Sequence, residues 1–139
     1  MADTEYDIII AGAGLVGATF ALAAAQGGLR PVMVDPQPFD AQLAPSFDGR
    51  ATAISYANFR MLKALGLGEA LAPHACRMDR ILVTDGRRPG AASRPPSAAY
   101  IRFDADEIGD RNGGEPLGYM IENRRLRVAL AEAVEAQGL

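Results

Sequence analysis

The stretch Gly12-Ala13-Gly14-Leu15-Val16-Gly17 constrains this chain more than any other. It matches G-x-G-x-x-G and lies where that pattern has physical meaning, between a strand and a helix. Tyr6 to Ala11 predicts a short strand buried on both faces: Ile8, Ile9 and Ile10 are β-branched, and the glycines end the run. Leu15 to Gln26 predicts a helix rich in Ala and Leu that stops at Gly27 and Gly28. Pro31 to Val34 predicts a second strand ending at Asp35, after which Pro36 and Pro38 bar regular structure. Strand, helix and strand within about thirty residues make a βαβ unit with a right-handed crossover.

Each glycine has a task in such a unit. Gly12 permits the tight turn off the strand, Gly14 lets the backbone approach a pyrophosphate, and Gly17 lets helix and strand pack closely. The helix N-terminus, at Ala13, Leu15 and Val16, turns N–H groups and partial positive charge toward the phosphates. Asp35 follows Gly17 by 18 residues. A carboxylate there can accept from both ribose hydroxyls of an adenosine and repels a 2′-phosphate, which disfavours NADP in this site. FAD and NAD share that ADP half, so the motif leaves both open.

Ile8 to Ala25 is an apolar run long enough to be mistaken for a membrane span, with Thr19 its one polar residue. Asp3, Glu5 and Asp7 stand where a signal peptide carries positive charge, so a strand followed by a helix explains the run better. The 139 residues fit one domain, and 49% hydrophobic with 22% charged residues suit a packed core. A net charge of −3 gives no nucleic-acid footprint. His74 and the lone Cys76 make neither a disulfide nor a zinc shell, so no metal site is expected. One cysteine fits a reducing, cytoplasmic setting.

Beyond the βαβ unit, Asp40 to Gly49 predicts a loop. A helix from Ile54 or Ser55 to Leu65 follows, with Ile54, Ala57, Met61, Leu62 and Leu65 on one face. Gly66 ends it and Leu67 is the apolar residue after the cap. Arg80 to Thr84 and Ala99 to Phe103 predict strands on either side of a loop at Gly86 to Ser97. Asp110 to Pro116 is turn material, and a last helix is expected from about Arg124 to Gln137, with Leu126, Ala129, Leu130, Ala133 and Val134 as its stripe. A helix capped by Gly138 is usually followed by a strand, so the expectation is a chain cut from a larger protein.

Three stretches carry a family resemblance: Tyr6 to Ala18; Phe47 to Ser55 with Leu65-Gly66-Leu67; and Gly118 to Asn123 continuing through Leu126 and Ala129-Leu130. The first is generic to dinucleotide folds, whereas the other two are specific. Together they resemble the ubiquinone-biosynthesis FAD-dependent hydroxylases, flavin monooxygenases of the para-hydroxybenzoate hydroxylase class. Phe47 to Ala53 points toward the members acting on octaprenyl-methoxyphenol. The resemblance implies an incomplete α/β, Rossmann-like FAD-binding unit with part of a second sheet. Its implied division is residues 1–75 for FAD binding, 76–114 for partial substrate-domain strands, and 115–139 for a returning helix. It also implies FAD as cofactor, NAD(P)H as transient reductant, and hydroxylation of a polyprenyl phenol with dioxygen. Arg50 matches a family arginine near the flavin, and Asn123 a position that contacts FAD at a helix start. Arg124 is a weaker match, and Asn123 is also a preferred N-cap. The flavin carries the hard chemistry in such enzymes, so no catalytic side chain is expected here.

The family often places Glu where this chain has Asp35. Its later Gly-Asp segment and its substrate-pocket sheet lie beyond these 139 residues, so the chain alone is expected to be inactive. The expected location is cytoplasmic, with peripheral contact at the inner membrane face or with a biosynthetic complex. Two alternatives stay open: an NAD-binding dehydrogenase domain, and a non-enzymatic nucleotide-binding module.

Overall fold

A computed structural model describes residues 5–37, 43, 49–84, 100–109 and 113–139. The expected loop at Gly86 to Ser97, Ala99, and the matched residues Phe47 and Asp48 lie outside the described residues, as do parts of the segments Asp40 to Gly49 and Asp110 to Pro116.

The chain opens with β1 (Ile8–Ala11), α1 (Leu15–Gln26) and β2 (Pro31–Val34). The two strands pair in parallel, Ile8 beside Pro31 through Ala11 beside Val34. Ile10 is buried and Met33 packs on the core, so this face turns inward. The other face does not: Ile9 is 74% and Val34 58% exposed. The expectation that β1 is buried on both faces therefore fails. A parallel sheet needs cover on each side, and among the described residues only the inward face of this two-stranded sheet has it.

A clasp closes the outer end of the pair. Both carboxylate oxygens of Asp7 accept from the Arg30 side chain, at 2.9 and 3.0 Å, and Oδ2 also accepts the Arg30 backbone N–H at 2.8 Å. Hydrogen bonding to the Arg30 side chain, then to its backbone, lowers the Asp7 pKa from 3.8 to about 2. A depressed carboxylate stabilises the fold above its unfolded pKa and loses that contribution as pH falls through the folded value. The melting-temperature gap between wild type and Asp7→Asn is thus expected to be full above pH 3.8 and to close toward pH 2. A gap unchanged over that range in calorimetry would refute the assignment.

The chain continues through β3 (Ala51–Ser55), α2 (Tyr56–Ala64), the one-turn helix α3 (Gly68–Leu71), β4 (Cys76–Met78), β5 (Arg80–Thr84), β6 (Tyr100–Asp104), β7 (Gly118–Glu122) and α4 (Asn123–Ala136), and β3, β4 and β7 with their helices make a second layer. β7 is the middle strand of a three-stranded sheet, antiparallel to β3 on one side and β4 on the other. Ser55 Oγ caps α2 by accepting the Asn58 N–H at 3.3 Å. At the other end of α2, Gly66 takes φ +88° and Leu67 N–H returns to Leu62 O at 3.0 Å, burying Leu67.

One core joins the layers. Ala18 and Leu22 of α1 meet Leu126, Ala129, Leu130 and Val134 of α4, while Phe59, Leu62, Leu71 and Ile121 fill the space toward β7. The small residues of α1 let α4 approach. The buried face of α2 is Phe59 and Leu62, whereas Ala57 and Met61, expected on it, are exposed. The ring of Phe59 lies 4.2 Å from that of Tyr119, tilted by 39°. Burial, then the hydrogen bond to Glu115 at 2.8 Å, pushes the Tyr119 phenol up to about 12.

β5 and β6 form a separate antiparallel ribbon. Leu82, Tyr100 and Ile101 are each more than half exposed on it. Among the described residues no helix is long and apolar enough to cross a membrane.

Candidate dinucleotide site

At the C-terminal ends of β1 and β2 the chain makes the turn that the glycine motif predicts. Gly12 sits at φ +103°, a conformation that favours glycine, while its N–H stays bonded to Val34 O at 2.7 Å. Gly17 faces that turn so closely that a Cβ there would lie 1.9 Å from Gly12 O. Gly14 is the N-cap of α1, and no side chain among the described residues caps this end. The first intrahelical bond runs from Ala18 N–H to Gly14 O at 2.9 Å. Helix geometry therefore leaves the N–H groups of Leu15, Val16 and Gly17 without intrahelical acceptors. A Cβ built at Gly14 meets nothing within 4 Å among the described residues. The start of α1 is thus open, uncapped and partially positive, which suits an anion.

Asp35 is tied into the same turn. Its Oδ2 accepts Ala13 N–H at 2.8 Å and its Oδ1 accepts Gln37 N–H at 2.9 Å. The carboxylate thus fixes the glycine loop against the end of β2. A cleft of about 420 Å³ begins beside it, bounded by Ala13, Val32, Met33, Val134 and Leu139. Leu15 turns inward against the core, whereas Val16 is 83% exposed.

The remaining expected residues form a second group. Asn123 is the first residue of α4, and its N–H donates to Arg50 O at 3.1 Å. The N-cap is Glu122, and it makes no side-chain cap. The N-cap role expected for Asn123 is therefore replaced: its carboxamide reaches β3 and accepts from the Thr52 hydroxyl. Arg124 is half-buried, and its Nε has no hydrogen-bond partner among the described residues.

The body of α4 links the two groups. Arg127, one turn beyond Asn123, lines a small cavity with Ala13, Gly14 and Leu15. Sequence reading passed over Arg127, although its spacing of four from Asn123 places it on the same helix face. It also passed over Thr52, which no sequence pattern marks. Backbone donors, the helix terminus and Arg127 suit phosphate, and Asp35 suits hydroxyls.

No family model matches the chain. It is 36% identical over 129 residues to ubiquinone hydroxylase UbiL of Rhodospirillum rubrum, covering 93% of this chain and 27% of that protein. It is 35% identical over 139 residues to 3-demethoxyubiquinol 3-hydroxylase of Escherichia coli, covering 98% of this chain and 32% of that protein. The chain thus spans about a third or less of the curated relatives it matches. The crystal structure of the flavin-dependent monooxygenase PieE, in complex with FAD and substrate, superposes with a TM-score of 0.63 at 22% identity, covering 99% of this chain and 23% of that one. The resemblance to ubiquinone-biosynthesis hydroxylases holds over nearly the whole chain, and the fold is similar to part of the PieE structure.

Proposed function

We propose that this chain forms the FAD-binding part of a flavin-dependent monooxygenase that hydroxylates a polyprenyl phenol in ubiquinone biosynthesis. The observation that carries the reading is the open, uncapped start of α1, tied through Ala13 to the carboxylate of Asp35. The residues fit an ADP moiety: N–H donors and Arg127 at the diphosphate, Asp35 at the ribose, and the adjoining cleft for the base. Arg50, Asn123 and Arg124 lie on the side of β3 and α4, where they would hold the rest of the dinucleotide. Bound FAD would supply reduction by NAD(P)H and the activation of dioxygen. The chain's own residues bind and orient it.

In this reading residues 1–75 and 115–139 serve FAD, and 76–114, with the β5–β6 ribbon, begin the substrate domain. Hydroxylation itself belongs to the longer protein, working in the cytoplasm with peripheral access to its membrane-dissolved phenol.

Titration of the chain with FAD, followed by flavin fluorescence, tests the reading. Saturable FAD binding with no comparable NAD binding is the expected result. Arg127→Gln should weaken it roughly tenfold, the worth of one charge-assisted hydrogen bond. Tight NAD binding without FAD binding would instead favour a dehydrogenase domain.

A further inference from the structure

We propose that Thr52 is a positioning residue that fixes the carboxamide of Asn123 as a hydrogen-bond donor toward the cofactor, an inference that rests on the FAD-binding reading above. Asn123 is held at two atoms by one strand and its entry: its N–H by Arg50 O at 3.1 Å, and its Oδ1 by the hydroxyl of Thr52. Thr52 sits on β3 opposite Ile121, on the half-buried side of the sheet. Its branched side chain has few rotamers, so the hydroxyl is aimed.

The separation of 2.5 Å between Thr52 Oγ1 and Asn123 Oδ1 is that of an O–H···O bond. With Oδ1 committed to Thr52, the carboxamide offers the ligand its NH₂ group, which only donates. The ligand atom it meets must then be an acceptor, a phosphate or flavin carbonyl oxygen. The first turn of α4 contains Arg124 and Arg125 and no acidic residue, and its N-cap is Glu122.

FAD titrations of wild type, Thr52→Val, Thr52→Ser, Asn123→Ala and the Thr52→Val/Asn123→Ala double variant test this, with a thermal melt of each. Thr52→Val is expected to raise Kd about fivefold, and Asn123→Ala about tenfold. Thr52→Ser, which keeps the hydroxyl, should bind within about twofold of wild type. The double variant should bind no worse than Asn123→Ala, because Thr52 acts only through Asn123. Additive losses, or wild-type affinity in Thr52→Val, would overturn the positioning role while leaving FAD binding intact. Should Thr52→Val melt without cooperativity, Asn123→Asp decides: it still accepts from Thr52 but turns a carboxylate oxygen toward the ligand. It should then bind FAD more weakly than Asn123→Ala, and wild-type affinity would overturn the proposal. A wild-type chain that binds no FAD removes the functional reading, and this inference with it.

Discussion

Gly17→Ala is expected to lower the melting temperature of this chain by roughly 10 °C. The added methyl would sit 1.9 Å from Gly12 O and 3.0 Å from Gly12 C, with Ile10 Cγ2 at 3.5 Å behind them. The obstacle is backbone, and it cannot retreat. Gly12 N–H is bonded to Val34 O at 2.7 Å, and the turn is braced again by Asp35 on Ala13. Relief must come from α1 lifting off β1. That movement withdraws Ala18 and Leu22, at 2% and 0% exposure, from the core they share with α4. Forcing atoms into a packed site costs about 1–3 kcal/mol, more where neighbours cannot yield, so about 3 kcal/mol is expected here. For a chain of this length that is a fall of roughly 10 °C in melting temperature. Circular dichroism melts would show it, and a shift within about 2 °C would mean that α1 and β1 are not as close as the structure places them.

The tightness of that turn was legible in the sequence, because the signals of a βαβ unit are local. β-branched residues, glycines at fixed spacing and a terminal acid each act on neighbours a few residues away. The observed β2 and α1 match their expected bounds, and β1 begins two residues later than expected. The strands β3, β4 and β7 were less visible. Ala51 to Ser55 carries little apolar weight, and its strand exists because Gly118 to Glu122 pairs with it from 67 residues away. Pairing over such a distance leaves no period in either segment. The same cause moved the buried face of α2. Phe59 turns inward because Tyr119 of β7 is there to receive it, whereas Ala57 and Met61 are exposed. In the site, Gly12 to Gly17 and Asp35 were readable as a unit, and the structure joins them through one hydrogen bond. The Arg50 and Asn123 pair came from resemblance. Thr52 was not readable, because its role depends on β3 lying beside the start of α4.

Gly14→Val should produce the opposite balance, with affinity lost and the fold kept. A Cβ at Gly14 meets nothing within 4 Å among the described residues, and its φ of −72° suits any residue. The protein therefore has no steric objection to a side chain there. Valine is a poorer N-cap than glycine, which costs about 1 kcal/mol or less, so the melting temperature should move by only a few degrees. The ligand is affected differently. In the proposed site the diphosphate accepts from the N–H groups of Leu15 and Val16, next to Gly14, so a side chain at Gly14 competes with it for space. Two branched methyls there hold an anion out of hydrogen-bond range. Losing two charge-assisted bonds at about 1.5–3 kcal/mol each lowers FAD affinity about a hundredfold or more. If Gly14→Val bound FAD as wild type does, the diphosphate could not lie on α1, and the glycine motif would be a packing device alone. The pair of variants thus separates two tasks within six residues: Gly17 is small for the sake of the protein, and Gly14 for the sake of the ligand.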